Sequence, residues 1–384
     1  MSDSVLMKTD LCSVETFEEH AEDLLPGTKL LGGQYTITNF LNNGGFGITY
    51  LAKDSLDRTV VIKECFPDSM CKRSGLLVQP RSRAHKNAFT SVVRLFVQEA
   101  GNQAKLSHPN IAKIHEIFSE NNTAYMVIDY VDGADLLDVV EIQSGIAPKD
   151  AEHWLRHSLK ALGFVHDAGL LHRDISPDNI LINHKNEPIL IDFGAARAQA
   201  AKQDRVLSTL RVVKDGYSPY EFYVTGSPQS PASDLYGLGA TFYHVLTGQT
   251  PPDSQLRLSS LAQGQDDTYV PLAGRFPDYP EAMLRAIDMA LKVLPNERLQ
   301  SAQQWLDMMD GKTHASSPEE PRRAKPVTPI LKIKDRTEGR CNKGLMAPAT
   351  RLAAAIAITC IAIFAFGDNA TGMSKSPPPA VATL

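Results

Sequence analysis

The chain predicts an α+β fold, with a small antiparallel β lobe followed by a larger helical lobe. Strand-like runs crowd about residues 34–130, where Tyr35-Thr36-Ile37 and the β-branched run Thr59-Val60-Val61-Ile62 stand out. Apolar positions at helical spacing, with caps and stops, dominate about residues 131–311. The 384 residues are 43% hydrophobic and 22% charged, an ordinary globular balance that suffices for one large domain or two moderate ones.

Residues 1–33 form an acidic, weakly patterned lead with Glu15, Glu18, Glu19, Glu22 and Asp23, read as flexible or loosely docked. A hairpin-like stretch then runs from Leu41 to Ala52 through Gly44, Gly45 and Gly47. Thr59–Lys63 reads as a strand, about Phe89–Leu106 as a helix, and Ile111–His115 and Tyr125–Tyr130 as two further strands. Pro148 opens a helix with Asp150 and Glu152 in its first turn, where the helix dipole favours acids. Its apolar face carries Trp154, Leu155, Leu159, Leu162 and Val165. Another helix spans about Asp234–Thr247 and stops at Gly248. Ser301-Ala302-Gln303-Gln304 is a capping-box pattern opening a last helix that ends near Gly311.

Residues 312–350 are rich in Pro, Ser, Lys and Arg and read as a disordered linker. Leu352–Gly367 carries no charge, so residues 351–367 are a candidate transmembrane helix, followed by the short tail 368–384. As a helix the sixteen uncharged residues span only about 24 Å of a core of about 30 Å, and Arg351 must snorkel to extend them. The alternative is an Ala-rich helix packed on protein or lying at an interface. Arg340, Lys343 and Arg351 upstream put the body on the cytoplasmic side. The start, Met1-Ser2-Asp3-Ser4, lacks a signal-peptide pattern and agrees with a cytoplasmic body. A net charge of −5 argues against a general nucleic-acid binder, and five scattered cysteines read as free thiols.

The chemistry concentrates in two short runs. His172-Arg173-Asp174-Ile175-Ser176-Pro177-Asp178-Asn179 sets an acid and a carboxamide five residues apart between apolar segments. Thirteen residues beyond Asn179 comes Asp192-Phe193-Gly194, directly after Ile189-Leu190-Ile191. Two carboxylates and one amide can hold Mg²⁺ and orient a hydroxyl, which phosphoryl transfer from ATP requires. Upstream, glycines without Cβ atoms let a backbone approach phosphates closely. Lys63 follows Gly47 by sixteen residues.

These motifs resemble the catalytic, metal-binding and nucleotide-binding elements of protein kinases, and the chain is similar to bacterial, eukaryotic-like serine/threonine kinases over about residues 34–310. The resemblance implies the two-lobe kinase fold, Mg²⁺-ATP, a protein substrate with a Ser or Thr hydroxyl, and autophosphorylation. It makes Asp174 the base or orienter of that hydroxyl, and Asn179 and Asp192 the Mg²⁺ ligands. Lys63 pairs with the α- and β-phosphates and with a helix glutamate. That glutamate is Glu99, with Glu64 the competitor in the run Lys63-Glu64-Cys65-Phe66-Pro67; Glu99 is preferred because adjacent strand side chains point to opposite faces. The nucleotide-binding set is Leu41, Asn42, Asn43, Gly44, Gly45, Phe46, Gly47, Thr49 and Lys63. It continues with the hinge Ile128-Asp129-Tyr130-Val131, Ile128 being the gatekeeper, and with Asp135 at the ribose; a helix N-cap is the other reading of Asp135. Arg173 awaits a phosphorylated or acidic residue on the segment from Ala195 to Glu221, where Ser208 and Thr209 are candidate phosphosites. Glu221 pairs with Arg298, and Asp234 anchors the catalytic loop.

Several positions depart from the family pattern. Asn42 stands where the loop usually begins with Gly, and Asn tolerates positive φ well enough to keep a similar turn. A basic insert (Lys72, Arg73, Arg81, Arg83, Lys86) lengthens the stretch between Lys63 and Glu99, as a solvated loop or a dock for an acidic partner. Ser176 replaces the lysine that serine/threonine kinases carry two residues after the catalytic Asp. Lys214, in Val212-Val213-Lys214-Asp215-Gly216, is the candidate to supply that charge. The rival functions are a pseudokinase scaffold and a small-molecule phosphotransferase. The intact set Lys63, Glu99, Asp174, Asn179 and Asp192 argues against the first, and Glu221 with Arg298 against the second.

Overall fold

The computed structural model describes residues 22–142, 145–193, 213–224 and 226–312. Most of the lead, the candidate phosphosites Ser208 and Thr209, the linker and residues 351–367 therefore lie outside the described residues. Among those described, no helix is long and apolar enough to cross a membrane.

The first lobe is one antiparallel sheet with strand order β1-β2-β3-β4-β8-β7. Its strands are β1 (Lys29–Leu30), β2 (Tyr35–Gly44), β3 (Gly47–Asp54), β4 (Thr59–Cys65), β7 (Ile114–Glu120) and β8 (Thr123–Asp129). Alternation along β2 to β4 drives Ile37, Ile48, Tyr50, Ala52, Val60 and Ile62 into one core. That core also takes Leu24 and Leu30, and the Leu24 N–H donates to Tyr50 Oη at 3.1 Å. The last residues of the presumed lead are thus part of the sheet lobe. Helix α1 (His85–Gln103) packs Ala88, Phe89, Val92, Leu95, Phe96 and Ala100 inward, starting and ending a few residues earlier than the sequence suggests.

The expected strand at Ile111–His115 is displaced to β7. The reason is competition from the second lobe: Ile111 bridges Leu190 in parallel, and the Ala112 N–H donates to the Leu190 carbonyl at 3.0 Å. The basic insert begins as a hairpin, β5 (Cys71–Ser74) with β6 (Leu77–Pro80), which carries Lys72 and Arg73; Arg81 and Arg83 lie in the turn after it and Lys86 in α1. Cys65 and Cys71 are free and buried, and burial pushes the Cys71 thiol up to about 12.

The second lobe is helical, with a small sheet β11-β10-β9 near the junction: β9 (Gly133–Asp135), β10 (Ile180–Asn183) and β11 (Pro188–Leu190). Its helices are α2 (Leu136–Ile142), α3 (Pro148–Asp167), α4 (Pro231–Thr247), α5 (Ser254–Ala262), α6 (Glu281–Ala290) and α7 (Ala302–Met309). All five apolar positions read on α3 are buried. Asp150 lies in its first turn, whereas Glu152 lies beyond it and pairs with Arg156 at 2.8 Å. Helix α4 begins before Asp234, because Ser230 and Ser233 form a reciprocal capping box with Pro231 between them. It ends where Gly248 takes φ 70°, a left-handed cap that glycine adopts without strain. At α7, Ser301 accepts from the Gln304 N–H at 3.1 Å, but the Gln304 side chain reaches the Gln300 N–H instead of closing the box.

Candidate active site

The glycine-rich hairpin joins β2 to β3, with Asn42 opposite Thr49, Asn43 opposite Ile48 and Gly44 opposite Gly47. Neither asparagine has positive φ, so the expected special turn at Asn42 is instead strand, next to a register shift at Phe40/Asn42. Gly47 is required by crowding: a Cβ there would sit 2.3 Å from the Glu64 carbonyl oxygen. Around Gly45 the space is open within 4 Å, so the hairpin tip presents bare backbone. Leu41 is exposed, while Phe46 is buried in a cluster with Cys65, Met70, Ala88 and Val92. Phe46 therefore braces the hairpin against α1.

On β4, Lys63 and Glu64 face opposite ways. Lys63 Nζ donates to Asp192 Oδ1, linking the sheet lobe to the run after β11. Glu64 is fully buried on the other face. It accepts from Tyr50 Oη at 3.0 Å, Tyr125 Oη at 2.9 Å and Arg73 Nη2 at 2.5 Å. Burial, then the nearby Glu64 charge, pushes both phenols up. Arg73 from the insert is thus the counterion of Glu64, a role its basic surroundings in the sequence concealed. Glu99 on α1 accepts from Gln103 and lines a cavity with Leu95, Gln98, Arg173 and Phe193.

The chain runs along β8 to the lobe junction at Ile128, Asp129 and Val131. The Asp129 side chain is held by His115 at 2.5 Å and by the Lys113 N–H at 3.3 Å. Asp135 Oδ1 accepts from the Asp138 N–H at 2.8 Å, so it caps α2.

The loop after α3 is held from below by Asp234. Its carboxylate accepts from the His172 N–H at 2.9 Å, the Arg173 N–H at 2.7 Å and His166 Nε2 at 2.8 Å. Burial works to raise this carboxyl, yet the His166 hydrogen bond and charge, with further bonds, hold it below the usual carboxylate range. Arg173 and Asp192 both take left-handed φ, 66° and 59°, a strained choice for non-glycine residues that the surrounding contacts must enforce. His172 supplies one such contact: Nε2 meets the Ile191 carbonyl at 3.0 Å, and the ring stacks on Phe193 at 4.4 Å. The carbonyl can only accept, so Nε2 donates; Nδ1 accepts from the Asp174 N–H at 3.4 Å, the arrangement of a neutral ring, and burial depresses its pKa. Asn179 Nδ2 donates to the Asp174 carbonyl at 2.7 Å, which leaves Oδ1 as the acceptor atom of the amide. Together with Asp192 it makes a hard-oxygen donor set of the kind Mg²⁺ prefers.

Lys214 approaches the loop from the segment that re-enters at residue 213. Its Nζ lies 2.7 Å from Ser176 Oγ, 2.6 Å from Asp178 Oδ2 and 3.6 Å from Asp174 Oδ1. Burial works to raise the Asp178 carboxyl, but the Lys214 charge and hydrogen bond bring it below the usual range. The same segment ends at Glu221, which Arg298 clasps with two bonds of 2.7 and 3.1 Å. Ser233 Oγ adds a third at 2.8 Å.

Known proteins share this architecture. The family model for the protein kinase domain matches residues 35–308. The serine/threonine-protein kinase PrkC of Bacillus subtilis is 30% identical over 278 residues, which is 72% of this chain and 40% of PrkC. PknB of Mycolicibacterium smegmatis is 31% identical, over 71% of this chain and 42% of its own length. The chain thus spans less than half the length of these relatives. The solved apo form of PpkA-294 superposes with a TM-score of 0.66 at 33% identity, covering 75% of this chain and all of that one. At 21% identity the kinase domain of Mycobacterium tuberculosis PknI, with a TM-score of 0.54, shares the fold. By its matched domain and its architecture, the chain belongs to the protein kinase family.

Proposed function

We propose that the chain transfers the γ-phosphate of Mg²⁺-ATP to a serine or threonine hydroxyl of a protein substrate, itself included. The observation that carries this reading is the meeting of Lys63, Asp174, Asn179, Asp192 and Lys214 where the two lobes join. In this reading Leu41 to Gly47 and Thr49 cover the phosphates, the backbone from Ile128 to Val131 takes the adenine, and Asp135 uses its second oxygen on the ribose. Asn179 Oδ1 and Asp192 hold Mg²⁺, which bridges and neutralises the phosphate oxygens. Asp174 orients the acceptor hydroxyl and draws its proton. Lys63 orients the phosphates, with Glu99 as its helix partner when nucleotide releases Asp192 to the metal. Arg173 meets a phosphate on the segment that carries Ser208 and Thr209.

Lys214 is the cation that Ser176 lacks. Its ammonium sits over the catalytic loop, so a charge usually carried by the loop arrives from the opposite strand of chain. Such a group acts by stabilising charge that develops during transfer. Transfer of radiolabel from ATP by the full chain, absent in Asp192→Ala, tests the main reading; nucleotide binding without transfer would favour the scaffold. Lys214→Met should lower turnover about 10²-fold or more, with KM for ATP far less affected. Unchanged turnover would remove Lys214 from the site. Residues 351–367 are read as a single-pass anchor, because sixteen uncharged residues follow three upstream basic ones. Recovery of the full chain in the soluble fraction would overturn that reading.

A further inference from the structure

Three potential metal ligands meet far along α3 from the cleft residues: His153, His157 and Glu187, whose donor atoms lie within 4.8 Å of one another. The two histidines are four residues apart and so share one face of α3. Their rings lie 4.1 Å apart between centroids. Glu187 comes from the turn between β10 and β11. Its Oε2 is 3.4 Å from His153 Nε2 and 4.0 Å from His157 Nε2.

Two features make this more than a chance meeting. His157 Nδ1 lies 2.8 Å from the His153 carbonyl, which can only accept. Nδ1 therefore carries a proton, and in the neutral ring Nε2, on the side of Glu187, is the nitrogen left to ligate. A backbone carbonyl behind a ligating imidazole is a common way to fix its tautomer. Second, the turn is fastened to α3 by groups other than Glu187. Trp154 Nε1 donates to Asn186 Oδ1 at 2.9 Å, and Asn186 Nδ2 donates to Asp150 at 2.8 Å. The Glu187 N–H is held by Asn183 Oδ1 at 3.0 Å. These bonds deliver the carboxylate to the histidine pair whether or not an ion is present. The three side chains are 33%, 28% and 37% exposed, open enough for an ion to enter.

We propose that His153, His157 and Glu187 form a site for a divalent transition metal of the Zn²⁺ class, with a fourth position left to water. Ligand bonds of about 2.0–2.2 Å in tetrahedral geometry need donor atoms only slightly closer than these, within reach of small side-chain rotations. Two imidazoles and one carboxylate favour Zn²⁺, Co²⁺ or Cu²⁺ over Mg²⁺. The bound ion clamps α3 to the turn whose strand β11 ends at Leu190, two residues before Asp192.

The test is titration of the metal-stripped full chain with Zn²⁺ in excess Mg²⁺, read by equilibrium dialysis and thermal unfolding, and with Co²⁺ read by absorption. The expected result is one saturable equivalent that raises the unfolding midpoint. Its affinity falls at least about 10-fold in His157→Gln and in Glu187→Gln. Glu187→Gln keeps the turn's own hydrogen bonds and so separates ligation from folding. The Co²⁺ spectrum should show visible bands without the near-ultraviolet thiolate band that cysteine ligation would add. No saturable equivalent, or equal binding by wild type and both variants, overturns the proposal.

Discussion

Among the described residues, two glutamates are buried against arginines, and the two lobes solve that problem differently. In the sheet lobe, Glu64 and Arg73 are nine residues apart and meet through one guanidinium nitrogen at 2.5 Å; two phenols complete the carboxylate. In the helical lobe, Glu221 and Arg298 are 77 residues apart and meet through two nitrogens. Arg298 spends its remaining donors on the carbonyls of Ala232, Lys292 and Val293 and lies 4.7 Å over Tyr236. The first pair neutralises one acid locally, on the face of the strand opposite Lys63. The second ties the end of the segment bearing Lys214 to a distant loop and to α4. A buried pair adds little net stability, yet removing one partner strands the other charge, so the cost of a deletion depends on what else holds the survivor.

The largest effect should follow Arg298→Ala, which leaves Glu221 with one hydroxyl. It should destabilise the fold by about 3–5 kcal/mol, measured by denaturant unfolding. A loss under about 1 kcal/mol would erase the distinction between the pairs. Arg73→Ala should cost less, about 1–3 kcal/mol, because Tyr50 and Tyr125 still donate two hydroxyl hydrogen bonds to Glu64. Adding Glu64→Gln to Arg73→Ala should recover much of it. Phosphoryl transfer should survive the double change, because Lys63 faces the other way; its loss would place Glu64 in the catalytic set after all.

The smallest effect is a pH dependence centred on His172, which has no arginine and is kept neutral by burial. Its folded pKa lies below the ordinary value of 6.5, so below about pH 6.5 the unfolded chain binds the extra proton. Stability should therefore decline as pH falls through that window. His172→Gln should flatten the decline in unfolding curves taken between pH 7.5 and 5.5, roughly the range that brackets an ordinary histidine. An unchanged slope would assign the decline to other groups.

Much of the fold and the site is legible residue by residue. The strand alternation of β2 to β4, the apolar face of α3 and the Gly248 stop follow from local patterns that burial then respects. Opposite facing of Lys63 and Glu64 follows from strand geometry alone. Arg73 was not legible, because a lone arginine among Lys72, Arg81 and Arg83 carries no sign of its buried partner. Phe46 likewise sits within a nucleotide-loop motif but packs against α1. The displacement of β7 was hidden because Ile111 satisfies both a strand pattern and the bridge to Leu190.

By itself, the sequence determined the order of the lobes, the spacing of Lys63, Asp174, Asn179 and Asp192, and the absence of a loop lysine at Ser176. These are properties of types and intervals along the chain. Only the tertiary structure decided that Lys214 stands beside Ser176, that Arg73 answers Glu64, and that Glu187 meets His153 and His157. Each of these meetings joins groups from separate elements, and only packing sets whether their side chains come within bonding distance.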